Sequence, residues 1–327
     1  MFKKIMLWLV GIIVLGGVVF ALGPREAADE TITFNASSLG EDLDSYLAGN
    51  EGKIPDIIAG AEKKIVWQNY ATKAKTEYSV VYIHGFSATL EEVRPLPDII
   101  AGELGANIFY TRLAGHGRGN GPAMGEASAN DWFNDAAEAL AIGRAIGEKV
   151  ILISTSTGGT IVSWALTKPE LAKDVVASVM LSPNFGVNDP GAKMLSLPWA
   201  RQILPKMFGE TRSWEPRNEG QAKWWSTSYP SVSLLPMQAS VDLAAKLPFE
   251  EMTVPALFMF HPEDGVVNSS LTKEIAGRWG KNGSVAVEVV EAEDATDTMK
   301  HVIAGRILSP ANTEPLARKA LNWISGL

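Results

Sequence analysis

Short unbroken apolar runs recur along most of this chain, separated by stretches with a different spacing. The runs at 79–83 (SVVYI), 106–110, 150–153, 175–181, 256–260 and 285–290 are mostly β-branched and apolar, which predicts strands buried on both faces. Residues 64–68 (KIVWQ) predict a further short strand. Over 131–146, Trp132, Ala136, Leu140 and Ile142 fall on neighbouring helical turns. Helices are also predicted over 270–279 and 314–324. Such alternation points to an α/β architecture, a mostly parallel sheet covered by helices on both faces.

The rhythm stops between 187 and 248, where proline, tryptophan and methionine accumulate. Regular βα units resume on the far side, so this stretch is expected to be an inserted cap. Trp199, Trp214, Trp224 and Trp225 are its candidate substrate-facing residues. The core is expected over 61–186 and 249–327, and the polar, acidic stretch 24–60 reads as a linker.

The first residues obey another pattern. After Lys3 and Lys4, residues 5–22 carry no charged or strongly polar side chain. As a helix this run is about 27 Å long, close to a bilayer's hydrocarbon core. A signal-peptide apolar region is shorter, and Pro24 is a poor context for cleavage. Residues 1–23 are therefore read as a retained transmembrane anchor in preference to a cleaved signal. The two lysines place the remainder on the opposite, in a bacterium periplasmic, side. The alternative is a soluble periplasmic protein released from a cleaved signal.

Composition changes the picture only by exclusion. The chain has 327 residues, 46% hydrophobic and 20% charged, with net charge −8 and no cysteine. That is globular, not disordered. Without a basic stretch it argues against nucleic acid, and without cysteine it has neither disulfides nor thiolate metal ligands.

Candidate chemistry begins at Ser154-Thr155-Ser156-Thr157-Gly158, between the 150–153 run and a helix expected from Gly159. A strand, tight turn and helix in that order lift a serine hydroxyl clear of the sheet, provided small residues lie two positions to either side. For Ser156 those are Ser154 and Gly158; for Ser154 one would be Leu152, which is too bulky. Ser156 is the candidate nucleophile.

A serine needs a base, usually a histidine oriented by a carboxylate. Of the four histidines, His84 and His116 precede the serine, and His84 reads as a brace for its own loop. On an open parallel sheet the order is serine, acid, histidine. Asp264, in a turn after the 256–260 strand, and His301, beyond the last strand, fit that order, with Glu263 as the fallback acid. The oxyanion donors expected are the Thr157 amide beside the nucleophile and the Phe86 amide after His84-Gly85. No histidine spacing suits a metal and no phosphate loop is present, so neither metal nor cofactor is expected.

His84-Gly85-Phe86, Ala114-Gly115-His116-Gly117, the turn at Ser156, Asp264 with Val266-Val267, and His301-Val302 occur in order along 60–327. The chain thereby resembles the α/β-hydrolase fold superfamily, and within it the lysophospholipase, monoacylglycerol lipase and serine-aminopeptidase-like group. The resemblance implies a lid after the 175–181 strand and a Ser-His-Asp esterase. Ser154 departs from the glycine usual there. The expected activity is hydrolysis of small-molecule carboxylic esters with apolar, lipid-derived acyl groups, beside a membrane. The alternatives are an acyltransferase or other non-hydrolytic enzyme on the same fold, or a catalytically silent anchored binding protein.

Overall fold

The computed structural model describes residues 2–283, 285–293 and 295–327. It opens with α1 (Phe2–Ala21), none of whose residues is buried. By length and composition α1 could cross a membrane, a test that a leader segment also passes.

Residues 24–60, expected as a linker, fold against the domain. A 3₁₀ turn (Ala36–Leu39) leads into α2 (Leu43–Glu51), which Asp42 caps by accepting the Ser45 amide. Leu39, Leu43 and Leu47 recur every four residues, present one apolar edge and are buried in the main core. Glu51 then pairs with Arg112 at 2.8 Å, both buried. Taken one at a time these leucines look sparse among acidic residues, and only their helical spacing gathers them.

The core proceeds through β1 (Lys64–Val66), β2 (Thr76–Ile83), α3 (Leu96–Glu103), β3 (Asn107–Tyr110), α4 (Ala129–Ile146), β4 (Gly147–Thr155), α5 (Thr157–Leu166), α6 (Pro169–Ala172) and β5 (Val175–Leu181). The interruption follows, containing α7 (Ala200–Phe208), β6 (Thr211–Ser213), α8 (Glu219–Trp224), β7 (Ser228–Pro230) and α9 (Leu234–Ala244). Then come β8 (Ala256–Phe260), α10 (Ser269–Arg278), β9 (Val287–Glu291) and α11 (Pro310–Ser325).

Seven strands form one sheet in the order β1-β3-β2-β4-β5-β8-β9. All neighbours are parallel except β1 against β3. The central strands are apolar because helices cover both faces: α4 and α5 bury one layer, α3 and α11 the other. Several elements run past their apolar stretch. β4 begins at Gly147 because polar Lys149 still pairs with Tyr78, and α4 begins at Ala129 because Ser128 and Asp131 close a reciprocal capping box. α11 starts at Pro310, whose fixed φ suits a first turn.

The chain leaves β2 toward β3 on one side and returns to β4 on the other. Loops after β2 and β4 therefore diverge, opening a crevice beyond their carboxyl ends, where such sheets take ligands.

Candidate active site

Ser156 occupies that crevice, alone between β4 and α5, with φ 51° and ψ −120°. A non-glycine residue there stores about 1–3 kcal/mol of strain, so the surroundings must hold it. Its amide donates to Leu181 O at 2.9 Å, and its carbonyl accepts from Gly159 and Asn184 at 2.9 Å each. The turn is tight because strand and helix backbones nearly touch. A Cβ on Gly158 would lie 2.2 Å from Ile83 O, and one on Gly159 2.7 Å from the Pro183 ring. Ser154, on the other side of Ser156, is fully buried with its hydroxyl unpartnered.

Asp264 and His301 come together from separate loops after β8 and β9. The Asp264 Oδ1 accepts the Val266 and Val267 amides at 2.8 and 2.9 Å. That aims Oδ2 at His301 Nδ1, 2.8 Å away, with both residues buried. Burial pulls the imidazole pKa down, but the Asp264 charge and hydrogen bond outweigh it and hold His301 above the ordinary histidine value. With Nδ1 engaged, Nε2 is the nitrogen free to exchange protons. No hydrogen bond joins it to Ser156 in this structure; such contacts commonly tighten only when substrate is bound.

The loop after β2 faces the serine. His84 Nε2 accepts the Leu113 amide at 3.1 Å, which leaves Nδ1 as the donor to Gly85 O at 2.8 Å. Burial keeps this ring's pKa well below its usual value. Gly85 has no room for a side chain: a Cβ would meet Ser156 Cβ at 3.0 Å and Glu92 Oε1 at 2.7 Å. Among the described residues, the Phe86 and Thr157 amides donate to no protein group. His116, neutral with a pKa lowered to about 4 by burial, packs against Phe86 and Trp132.

Three polar residues near the site were not singled out from the sequence. Glu92, fully enclosed, accepts the Gly85 amide at 2.7 Å and the Tyr82 hydroxyl at 3.1 Å. Asp297 accepts the His301 and Val302 amides at 3.0 and 2.9 Å, and Arg217, from the inserted segment, forms an ion pair with it. The available signal was acidic Glu92 embedded in Leu90-Glu91-Glu92-Val93 just after the glycine turn.

The inserted segment holds a cavity of about 400 Å³ lined by Val187, Leu195, Leu204, Phe208, Leu234 and Met237, with Asp189, Thr211, Arg212, Ser213 and Ser231 as its polar members. Met237 Sδ lies 3.4 Å from Asn184 Nδ2, and Asn184 bonds Ser156 O. Met237 and Asn184 thus link the cavity to the serine turn, although none of Ser156, Asp264 and His301 is among its lining residues. None of the four tryptophans proposed from the sequence lines this cavity. Trp225 is buried, and Trp214 and Trp224 pack, in the layer under α3 and α11. Trp199 starts α7 and donates its amide to Pro24 O at 2.7 Å. Tryptophan content marked the insertion; leucines, Phe208, Met237 and five polar residues line its hollow.

The alpha/beta hydrolase family model matches residues 80–303, while no curated protein matches the chain. Among solved structures it is similar to the metagenome-derived lipolytic enzymes LipS and LipT, with TM-score 0.64, 19% identity and coverage of 83% of this chain and 100% of that one. It is also similar to the Paleococcus ferrophilus monoacylglycerol lipase, with TM-score 0.57, 16% identity and coverage of 81% and 98%. A soluble variant of the Saccharomyces cerevisiae monoglyceride lipase gives TM-score 0.58, 12% identity and coverage of 82% and 92%. Identities this low speak for the fold alone, but the family model spans more than half of the residues and includes the serine turn, the buried imidazole and its carboxylate. The chain belongs to the alpha/beta hydrolase family.

Proposed function

We propose that the protein is a serine hydrolase of carboxylic esters with apolar acyl groups. Ser156 Oγ attacks the acyl carbonyl while His301 Nε2 takes its proton, and Asp264 fixes the imidazole tautomer and favours the imidazolium. The Phe86 and Thr157 amides receive the oxyanion, each such donor being worth about 10²–10³ in rate. His301 returns the proton to the leaving alcohol. Water, deprotonated by His301, then attacks the acyl-serine and restores the hydroxyl.

The observation that carries this reading is the buried His301–Asp264 pair beyond the same sheet edge as a serine held at positive φ. The apolar cavity beside Asn184 supports an aliphatic acyl group, and the lipolytic neighbours are consistent with lipid-derived esters such as monoacylglycerols or lysophospholipids. In the same reading α1 is retained as an anchor, with the catalytic domain on the side away from Lys3 and Lys4.

A fluorophosphonate probe tests the assignment. Wild type is expected to be labelled and Ser156→Ala not, with esterase rate down at least about 10⁴-fold and an unchanged melting temperature. Equal labelling of a folded Ser156→Ala protein would remove Ser156 as the nucleophile.

A further inference from the structure

Glu92 is a fully buried carboxyl with no cationic partner in contact among the described residues, beside a site whose chemistry does not call on it. Burial drives its pKa up to about 7, against the hydrogen bonds from Gly85 and Tyr82 and the field of His301, which pull it down. A buried acid is costly to keep unless its contacts serve a purpose.

Those contacts converge on the elements that carry the site. The Glu92 Oε2 holds the Gly85 amide, while the Gly85 carbonyl is held by His84 Nδ1. With both ends of Gly85 fixed and the next peptide trans, the Phe86 N–H must point away from His84. Tyr82 Oη lies 3.1 Å from Glu92 Oε2 and 3.1 Å from Thr155 Oγ1, so the same carboxyl reaches the residue preceding Ser156. Its backbone is wedged against the loop carrying His301, where a Cβ on Gly305 would lie 2.7 Å from Glu92 O.

We propose that Glu92 is a positioning residue, which anchors the loop presenting the Phe86 amide. The assignment rests on the serine-hydrolase reading above. The titratable groups facing Glu92 are Tyr82 from β2 and His301 from the loop after β9. Asp264 lies beyond the imidazole, and Glu91 is turned away, paired with Arg94 and Arg306. An ionised Glu92 favours the imidazolium formed when Ser156 loses its proton. Removing its charge must therefore lower the His301 pKa.

Glu92→Ala and Glu92→Gln test this in the full-length protein in detergent, with 4-nitrophenyl butyrate from pH 5 to 9. Alanine removes the anchor, so kcat is expected to fall about 10–100-fold with KM changed less than about 3-fold. Glutamine keeps an acceptor and loses the charge. It is expected to restore kcat to within about 5-fold of wild type and to move the acid limb of kcat/KM about 0.5–1 pH unit lower. Wild-type kcat and pH profile in both variants would overturn the assignment, as would equal loss in both. Should the alanine variant fail to fold, the glutamine profile decides alone, and one superimposable on wild type overturns the proposal. A wild-type enzyme that resists fluorophosphonate labelling would instead sink the hydrolase reading itself.

Discussion

The turn at Ser156 and the inserted segment lie next to each other but are built on opposite principles. At the turn, glycines at 158 and 159 press against the Ile83 carbonyl and the Pro183 ring, and every backbone group of Ser156 is bonded. The insertion has strands of only three residues, a small core of Leu195, Ala200, Leu204 and Leu235 beside a hollow, and exposed Leu197, Met207 and Phe208. Close packing fixes atoms to fractions of an ångström, as acyl transfer requires. A loosely filled hollow accepts ligands of different length. In the proposed reading, chemistry belongs to the tightly packed turn and selectivity to the more loosely packed insertion.

Gly158→Ala attacks the rigid side hardest. Its new methyl would sit 2.2 Å from a backbone oxygen with no side chain able to give way. A loss of about 2–4 kcal/mol is expected, read by thermal denaturation, together with loss of fluorophosphonate labelling. Native stability in this variant would show that the turn is not packed as tightly as the contrast requires.

Asp264→Asn keeps an acceptor for the Val266 and Val267 amides but removes the charge beside His301. Stability is expected to change little and kcat/KM to fall about 10³–10⁴-fold. Wild-type kcat/KM should decline as pH falls through the His301 pKa, which lies above 6.5 because Asp264 stabilises the imidazolium. The residual activity of Asp264→Asn should decline at lower pH, and an unmoved limb would assign the titration to another group.

The insertion should respond mildly and selectively. Met237→Trp fills the hollow at its end nearest Asn184. Rates on 4-nitrophenyl octanoate are expected to drop about 10-fold and those on the acetate to stay within about 3-fold, since each methylene in an apolar pocket is worth about 1–3 kcal/mol. A uniform loss over all chain lengths would mean that the hollow does not hold the acyl chain.

Much of the core was legible without coordinates. Runs such as 150–153 and 256–260 mark strands because only strands covered on both faces tolerate unbroken β-branched sequence. Ser156 was legible as a candidate because the small-residue requirement falls at fixed offsets along the chain, as was the order of Asp264 and His301. Leu39, Leu43 and Leu47 were not, since a helix dilute in apolar residues resembles a linker until it meets its partner surface. The roles of Trp214, Trp224 and Trp225 were equally hidden, because composition does not say toward which layer a side chain turns.

The sequence alone determined the alternation of strands and helices and singled out Ser156 as the candidate serine, both of which depend on spacing within a few residues. Only the tertiary structure decided that Asp264 Oδ2 meets His301 Nδ1, that Glu92 closes over Gly85, and that Leu195, Leu204 and Met237 meet around one hollow. Those contacts join residues on separate loops, and their geometry is set by the strand order and by which backbones approach closely, quantities that no local pattern encodes.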